Sequence, residues 1–459
     1  MLIFTTILTL VITGVVGYLG KLKVKNSQDF TIGGNKIGII GVTSMLMGSI
    51  IGGASTVGTA QMAYNRGIAA IWFILGICIS SIILGLIYSK QIDKGRMDTI
   101  PQIIGDTYGK KARTSASILL SIGMFIHVNG QVIAVIALLT ALFNLDVVIS
   151  ALIVIILLVV YVVFGGFWGS TYVGSLKTIL LYSTSLICGY ILIFKLNGIN
   201  EVLTFFPKEP WFNMFSGGLA EDLASGIATV VGVLSTQTYF QAIMAGRNSK
   251  TSKYSAFITA FLVFPVGIVC TFIGMYMRIH YPSIPPREAF PLFLLNHLNH
   301  AIGGISIATV LISSIATGAA LALGIATMFV KDVYKPLIDE KISDKKELYI
   351  LRGSIIFVGL LSLFVVIKNK NSMILGWGFL SMVFRATPIF LPLTSAMFFK
   401  NKINKRLGFY AIIGGPLASV SWILLGYGKI SSLYIGLIVS FCILYFTNKF
   451  KMSTVNKQS

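Results

Sequence analysis

Apolar stretches long enough to cross a lipid bilayer recur along almost the whole sequence, and no other feature constrains the fold as strongly. About 18 or more apolar residues in a helix span a hydrocarbon core of about 30 Å. Only 11% of the 459 residues are charged, whereas soluble domains carry about 25%. We therefore predict an all-α integral membrane protein, since the alternating pattern that a transmembrane barrel requires is absent.

The apolar stretches predict about thirteen transmembrane helices, which we name the leading helix, core helices 1 to 10 and two trailing helices. Their predicted spans are 1–19, then 38–62, 66–90, 113–142, 147–166, 170–194, 219–244, 254–280, 301–330, 348–367 and 371–399, and finally 407–427 and 431–448. They form a single membrane domain. It divides into a leading helix and lead-in (1–37), a ten-helix core (38–399) and two trailing helices with a tail (400–459).

The net charge of +21 would indicate a nucleic-acid partner in a soluble protein, but the positive-inside rule explains it better in a membrane chain. When the connections are sorted by alternate sides, 26 lysines and arginines fall on one side and eight on the other. The eight are Arg66, Lys195, Lys208, Arg278, Arg287, Lys368, Lys370 and Lys429. This bias predicts a multi-pass protein of the cell membrane, surrounded by lipid, with its N-terminus outside and its C-terminus in the cytoplasm. It gives no indication of oligomeric state.

Core helices 1 and 6 carry residues that interrupt a helix near the middle of the bilayer. Core helix 1 contains the run SMLMGSIIGGASTVG, and core helix 6 contains Gly226 and Gly232 followed by the polar run STQT. Glycine loosens the helical ladder, and irregular backbone at membrane depth survives only where it lines a cavity or a binding site. The two helices are five positions apart, which predicts two five-helix repeats of inverted topology around a mid-membrane site. Alternatively, the small residues only allow close helix packing.

Six short motifs between about residue 29 and residue 425 resemble, in order and spacing, the sodium/solute symporter family, which includes bacterial proline, sialic acid and sugar symporters. The motifs are Asp29 to Asn35, Thr99 to Pro101 with Tyr108 to Arg113, Gly165 and Gly166 with Trp168, Gln241 to Ala245 with Lys250 and Lys253, Glu288 to Pro291, and Ala316 and Thr317 with Lys331 to Lys335. The resemblance implies a LeuT-like five-plus-five inverted repeat, and transport rather than enzymatic catalysis.

The resemblance also implies a sodium site where core helix 1 unwinds against core helix 8. Its ligands would be backbone carbonyls near Gly48 and Ile51, together with Ser313, Ala316 and Thr317 of core helix 8. A hard cation prefers several oxygen ligands, and Ser313 and Thr317 share one helix face at a spacing of four residues. The resemblance makes sodium a candidate coupling ion, and no other cofactor is indicated.

Three residues depart from the family pattern around this site. Ala316 replaces a serine, Gly174 replaces an acidic residue on the sodium exit path, and Lys177 replaces a glutamine. Each change weakens cation binding. One hypothesis is that the Lys177 ammonium occupies or adjoins the emptied site and cycles a proton in place of sodium. The alternative is that Lys177, about 10 Å from the inner helix end, extends to the cytosol.

All fifteen acidic residues fall in predicted loops or at helix ends, whereas His127, Lys177 and Arg385 lie inside helices. An unpaired charge at the bilayer centre costs about 2.5–3.5 kcal/mol. Because Arg385 is about 20 Å from either surface, it must pair with carbonyls, water or an anion. We predict that it lines the aqueous cavity, the alternative being a structural arginine that caps carbonyls of a broken helix. His127, one turn from Gln131, is a candidate for a substrate or proton role or a packed polar residue.

The sequence therefore predicts secondary active transport of a small polar organic solute, with a carboxylate as one candidate. The candidate solute-binding residues are Gly52, Gly53, His127, Gln131, Ser235, Thr236, Gln237, Trp377 and Arg385, and Lys177 is the candidate coupling residue. A sodium-independent transporter of the same fold, a non-transporting membrane sensor and an ion channel remain open. A phosphate-binding loop of the G-x-x-x-x-G-K-[ST] type is absent, which argues against an internal ATPase.

Overall fold

The structure is a computed structural model, and it describes residues 1–22, 27–32, 37–94, 97–143, 145–369, 372–399, 404–426 and 430–446. The described residues form helices and connections, without a β-strand among them. The motif residues 33–35, the lysines at 23, 25, 36, 370, 400, 402 and 429, Arg96 and the tail at 447–459 lie outside these ranges.

Twenty α-helices make up the described part of the chain. They are α1 (Leu2–Lys21), α2 (Ser27–Ile32), α3 (Ile39–Ile50), α4 (Thr59–Arg66), α5 (Trp72–Ile87), α6 (Ile100–Tyr108), α7 (Lys110–Phe143), α8 (Val147–Tyr190), α9 (Gly198–Phe205), α10 (Lys208–Trp211), α11 (Leu219–Leu234), α12 (Gln237–Met244), α13 (Ser249–His280), α14 (Ala289–His297), α15 (His300–Met328), α16 (Lys335–Leu337), α17 (Asp344–Lys368), α18 (Ile374–Phe398), α19 (Lys405–Leu424) and α20 (Ser432–Phe441). Short 3-10 or π-helical segments join several of them.

Nine helical segments of the described residues are long and apolar enough to cross a membrane, or ten if the bent pair α11 and α12 is one span. Three shorter apolar helices, Ile39–Ile50, Val147–Val163 and Ser432–Tyr445, fall at the remaining positions where the sequence predicts spans. The prediction of a many-helix membrane protein agrees with this architecture, while the count of thirteen stays a prediction.

Both helices that the sequence predicts to be broken are interrupted. The chain leaves α3 through Ile51, whose backbone is extended (φ −87°, ψ 111°), and re-enters a helix at Ala54. The axis bends by 48° between α11 and α12, where Thr236 is extended (φ −96°, ψ 122°). These breaks free backbone groups in the middle of the helix bundle, which is where a binding site needs them.

The predicted core helices 4 and 5 run together as α8, but the helix breaks at Gly166, which has a positive φ of 49°. An added Cβ at Gly166 would also meet the Phe30 ring at 2.5 Å, so glycine is needed here for both conformation and space.

The segments that the charge bias assigns to one side do contact one another. On the lysine-rich side, Lys331 pairs with Asp98 and Arg113 pairs with Asp332 at 2.7 Å. On the lysine-poor side, Arg66 pairs with Glu221 at 3.0 Å. Each of these pairs joins connections that the sequence assigns to the same side, and the orientation itself stays a prediction.

Six of the α-helices lie outside the predicted spans, and α6 and α14 are the longest of them. The capping box of Thr99 and Gln102, with Pro101 in the first turn, begins α6 between core helices 2 and 3. The connection between residues 281 and 300 contains α14, which is not a pure surface helix. Five of its residues, including Phe290 and Phe293, are buried, since it packs against α13 and α15.

Candidate functional site

The candidate site lies where the two broken helices meet α7, α15 and α18 in the centre of the bundle. Helix α15 is almost entirely buried and α7 largely so, although both are apolar enough to face lipid. Their polar residues therefore point towards other helices rather than towards water. Five predicted site residues lie on these two helices, namely His127, Gln131, Ser313, Ala316 and Thr317.

The Lys177 side chain crosses from α8 into the gap between the break of α3 and helix α15. Its Nζ donates to the carbonyl oxygen of Gly48 at 2.7 Å, to that of Ser313 at 2.9 Å and to Thr317 Oγ1 at 3.1 Å. The residue is only 1% exposed, so its ammonium does not extend to the cytosol in this structure. An ammonium has three N–H donors, and all three are used here. The three acceptors belong to residues that the family resemblance assigns to sodium.

The remaining predicted sodium ligands surround the same point. The hydroxyl of Thr317 lies 3.0 Å from the Gly48 carbonyl and 3.1 Å from the Ile51 carbonyl. The hydroxyl of Ser313 donates to the Ile51 carbonyl at 2.9 Å. Ala316, which offers no side-chain oxygen, borders a cavity of about 20 Å³ beside Gly48. That volume is enough for about one water-sized group and too small for an organic solute.

Glycines on α3 and α8 allow the approach that brings Lys177 to its acceptors. A Cβ added at Gly174 would lie 2.7 Å from the Ser44 carbonyl oxygen, and one added at Gly48 would lie 3.2 Å from the Gly174 Cα. The two backbones therefore pack almost directly against each other, and an aspartate at position 174 would not fit without moving α3. The absence of the family's acidic residue and the presence of Lys177 are thus parts of one local arrangement.

Gln131 connects helix α7 to the unwound segment after α3. Its Oε1 accepts a hydrogen bond from the Gly53 amide at 2.7 Å, while its buried Nε2 has no hydrogen-bond partner among the described residues. A Cβ added at Gly52 would meet Gln131 Oε1 at 2.3 Å and Thr317 Oγ1 at 2.8 Å. The glycine pair therefore lets the side chains of α7 and α15 approach the unwound backbone.

Arg385 lies at the centre of a second polar group, formed by α18, α7 and the break between α11 and α12. Its Nη1 donates to Thr236 Oγ1 at 2.7 Å, its Nη2 lies 2.8 Å from His127 Nδ1, and its Nε contacts the Ser381 carbonyl oxygen at 3.3 Å. The Tyr239 side chain also lies close to the guanidinium. Because a guanidinium cannot accept a hydrogen bond, His127 Nδ1 must be the acceptor, which assigns the neutral tautomer with the proton on Nε2.

Neither buried cation of the core has an acidic partner. Arg385 is 0% exposed and Lys177 1% exposed, yet none of the ion pairs among the described residues includes either of them. The buried acidic residues of the described chain, Asp222, Asp332 and Glu347, all lie near helix ends. Among the described residues, the interior of the bundle therefore carries positive charge balanced only by neutral dipoles.

Three of the predicted solute-binding residues are engaged elsewhere. The Ser235 hydroxyl donates to the Val231 carbonyl of its own helix at 2.7 Å. The Gln237 amide accepts from the Ile100 N–H at 2.8 Å and donates to the Asp98 carbonyl at 2.9 Å, so it ties α12 to the start of α6. Trp377 is partly buried and donates to Ser372 Oγ at 2.6 Å. Their roles in solute binding stay predictions.

Sequence reasoning did not single out Tyr239, nor the buried polar contacts at the lysine-rich end of the bundle. There, Asp332 is fully buried and accepts from Arg113 Nε at 2.7 Å and from Thr99 Oγ1 at 3.0 Å. Thr99, Arg113 and Asp332 all belong to motifs of the family resemblance, so a search for a carboxylate and a cation among those motifs could have paired them.

The fold and the buried polar site are those of a multi-pass transporter, and comparisons with known proteins agree. The family model described as "Sodium:solute symporter family" matches residues 30–415. The chain belongs to the sodium:solute symporter family. It is a secondary active solute transporter with a LeuT-like fold, and the family's function is transport rather than catalysis.

Relatives and solved structures of low identity cover most of the chain. The high-affinity proline transporter PutP of Bacillus subtilis is 22% identical over 377 residues, which is 79% of each protein. The uncharacterized symporter YwcA of the same organism is 25% identical over 389 residues, 79% of this chain and 74% of YwcA. The solved structure of a Na⁺-coupled sialic acid symporter matches with a TM-score of 0.81 at 17% identity and 96% coverage of both chains. At such identity the structural likeness shows the fold alone.

Proposed function

We propose that this transporter moves a small polar organic solute without sodium, and that the Lys177 ammonium takes the place of the coupling cation. The observation that supports the proposal is the set of hydrogen bonds from Lys177 Nζ to Gly48, Ser313 and Thr317. Neutral oxygens at this spacing suit an ammonium group or an alkali cation, but one position cannot hold both.

In this site, the ammonium would link α3 to α15 as a bound sodium ion would. It joins a carbonyl at the end of α3 to a carbonyl and a hydroxyl of α15, and so holds the broken helix against its neighbour. When the hydrogen bonds break, α3 is free to move relative to α15, which is the kind of rearrangement that alternating access requires. If Lys177 releases its proton in that step, transport is proton-coupled; if it stays protonated, the protein is an exchanger.

The solute site in this proposal is the space between the two helix breaks. The unwound backbone at Gly52 and Gly53, whose N–H groups donate to Ser55 and Gln131, borders this space, and Thr236 and Arg385 supply side chains from the other break. His127 and Gln131 line the same face of α7, one turn apart. Lys177 donates a hydrogen bond to Thr317, which lies beside Gly52. A change in the hydrogen bonds of Lys177 can therefore alter the solute site.

The test of the proposal is uptake by purified protein in proteoliposomes. Amino acids, sugars and carboxylates are offered in sodium-free potassium buffer, with an inward proton gradient, with unlabelled solute trapped inside, or with neither. We expect accumulation of at least one solute class under the proton gradient or by exchange, and no further increase when sodium replaces potassium. Uptake that occurs only with sodium outside would contradict the proposal.

We also propose that the lysine-rich side of the bundle faces the cytoplasm, with the N-terminus outside, and that residues 38–399 form the ten-helix core between the 1–37 and 400–459 segments. The lysine and arginine bias between alternate connections supports this orientation. In a variant without native cysteines, a cysteine at exposed position Lys345 should resist a membrane-impermeant maleimide on intact cells, while one at exposed Lys208 should react. The reverse pattern would refute the orientation.

A further inference from the structure

We infer that the solute carries a carboxylate, and that Arg385 and Gln131 bind this group beside the unwound segment at Gly52 and Gly53. The inference rests on the solute site of the proposed function and deepens it by naming the chemical class of the solute. It does not depend on which ion drives transport.

The first observation is the environment of the Arg385 guanidinium. The residue is fully buried, its side-chain partners are the neutral groups of Thr236 and His127, and the neutral Tyr239 side chain lies close by. Of its nitrogen atoms, only Nε donates to a backbone carbonyl, which is that of Ser381 in the same helix, at 3.3 Å. An arginine that caps a broken helix would donate its Nη groups to free backbone carbonyls. Here both Nη groups contact side chains, which can rotate away when an anion binds.

The second observation is the Gln131 amide. Its Nε2 is buried and without a hydrogen-bond partner among the described residues, although a buried donor of this kind is costly to leave unpaired. The Oε1 of the same amide is fixed by the Gly53 N–H at 2.7 Å, so the orientation of the side chain is set and Nε2 remains available as a donor. A solute acceptor at this point would satisfy it.

The Arg385 and Gln131 donors lie against the same face of α7. His127, which contacts Arg385, precedes Gln131 by four residues, or about 6 Å along α7. A carboxylate presents two oxygens and about four acceptor positions, so it can accept from a guanidinium and from an amide in the same plane. A neutral hydroxyl or amide solute would leave the guanidinium charge without compensation.

The charges around the site favour an anion over a cation. Arg385 contacts His127, one turn from Gln131 on α7, and Lys177 contacts Thr317, which together with Gln131 lies beside Gly52, so both buried cations adjoin the solute space. The acidic residues of the described chain lie at helix ends or in connections and do not offset them. A bound carboxylate would supply the missing negative charge.

Close packing limits the solute to a small molecule. A Cβ added at Gly123 would lie 2.7 Å from Arg385 Cγ, and one added at Gly53 would lie 2.2 Å from Ala134 Cβ. The backbones therefore approach closely around both donors. We expect a monocarboxylate of a few carbon atoms rather than a large acidic sugar.

Ligand-induced thermal stabilisation of the purified full-length protein tests the inference. The probes are acetate, lactate, pyruvate and propionate, each paired with its neutral amide, in potassium buffer and again in sodium buffer. We expect at least one carboxylate to raise the melting temperature saturably while its amide does not. Arg385→Gln should weaken that binding about 100-fold and Gln131→Met about tenfold, because each removes charge-assisted hydrogen bonds. Lys250→Gln, at an exposed position, should bind as the unaltered protein does.

Each outcome separates this inference from the proposed sodium independence. Failure of all four carboxylates in both buffers, equal stabilisation by the amides, or full affinity in Arg385→Gln would overturn the carboxylate site. Should Arg385→Gln fail to fold, Gln131→Met decides alone, and unchanged affinity in that variant overturns the site. Stabilisation by a carboxylate only in sodium buffer would uphold the carboxylate site and contradict sodium independence.

Discussion

Replacing Lys177 with methionine is expected to reduce solute uptake by about 100-fold or more. Methionine has nearly the same length but no hydrogen-bond donor, so the Gly48 and Ser313 carbonyls lose the ammonium that joins them. Hydrogen bonds to a charged group contribute about 1.5–3 kcal/mol each, and every 1.4 kcal/mol corresponds to about a factor of ten. Loss of two such bonds therefore accounts for the expected decrease.

The matched control for this substitution is Lys250→Met. Lys250 is an exposed lysine at the start of α13, and its replacement removes the same charge without touching the site. Initial rates of uptake by the two variants and the unaltered protein, at equal amounts of protein in the membrane, give the comparison. Equal rates for Lys177→Met and Lys250→Met would show that the buried lysine has no part in transport.

Replacing Arg113 with glutamine is expected to lower the stability of the protein by about 3–5 kcal/mol, because it removes the cation paired with a buried carboxylate. Asp332 is 0% exposed, and of its two carboxylate oxygens only Oδ1 has hydrogen-bond partners among the described residues, namely Arg113 and Thr99. Lys331, its neighbour in sequence, is paired with Asp98. The carboxylate would thus remain buried without the charge that compensates it.

The double variant Arg113→Gln with Asp332→Asn separates the effect of charge on stability from the effect of side-chain shape. The two amides retain hydrogen-bonding groups and remove both charges, and the asparagine has the size of the aspartate, so we expect the double variant to melt at a higher temperature than Arg113→Gln alone. Lys346→Gln is the control, since its pair with Asp339 at 2.9 Å is half exposed and such pairs contribute about 0–1 kcal/mol. A double variant that melts no higher than the single one would show that the pair does not act through charge.

Much of the fold could be predicted because the bilayer constrains the chain so strongly. Lipid forces each crossing segment into an apolar helix, so the boundaries of α7, α13 and α15 lie within a few residues of the predicted spans. Glycines and polar runs indicated where core helices 1 and 6 break, since irregular backbone survives in a membrane only around a site. The connection helix α6 was missed, although its capping box was present in the sequence.

The candidate site was less accessible to sequence reasoning, because hydrogen-bond partners depend on how helices pack. Ser235, Thr236 and Gln237 form one polar run, yet their side chains bond to three different places: Ser235 to its own helix, Thr236 to Arg385 and Gln237 to the start of α6. The backbone conformation at the break between α11 and α12 determines which of the three side chains faces the site. Sequence position alone could not distinguish them.

The direction of the Lys177 side chain could not be predicted either, because it also depends on how the helices pack. At about 10 Å from the helix end, its long side chain could reach either the cytosol or the cation site, and the sequence favoured neither strongly. The close contact between Gly174 and α3 decides the direction, because it brings the Gly48 carbonyl within reach of Nζ. Two residues that depart from the family pattern thus have one joint explanation.

The central claim is that the Lys177 ammonium occupies the position where relatives in this family would bind sodium. At 4 Å and an effective dielectric constant near 20, two like charges repel by about 4 kcal/mol, so sodium should be excluded even from a neighbouring position. Equilibrium binding of radioactive ²²Na⁺ to the purified protein, by scintillation proximity, measures this directly. We predict no saturable binding up to millimolar concentrations. Saturable millimolar binding that is unchanged in Lys177→Gln would contradict the account.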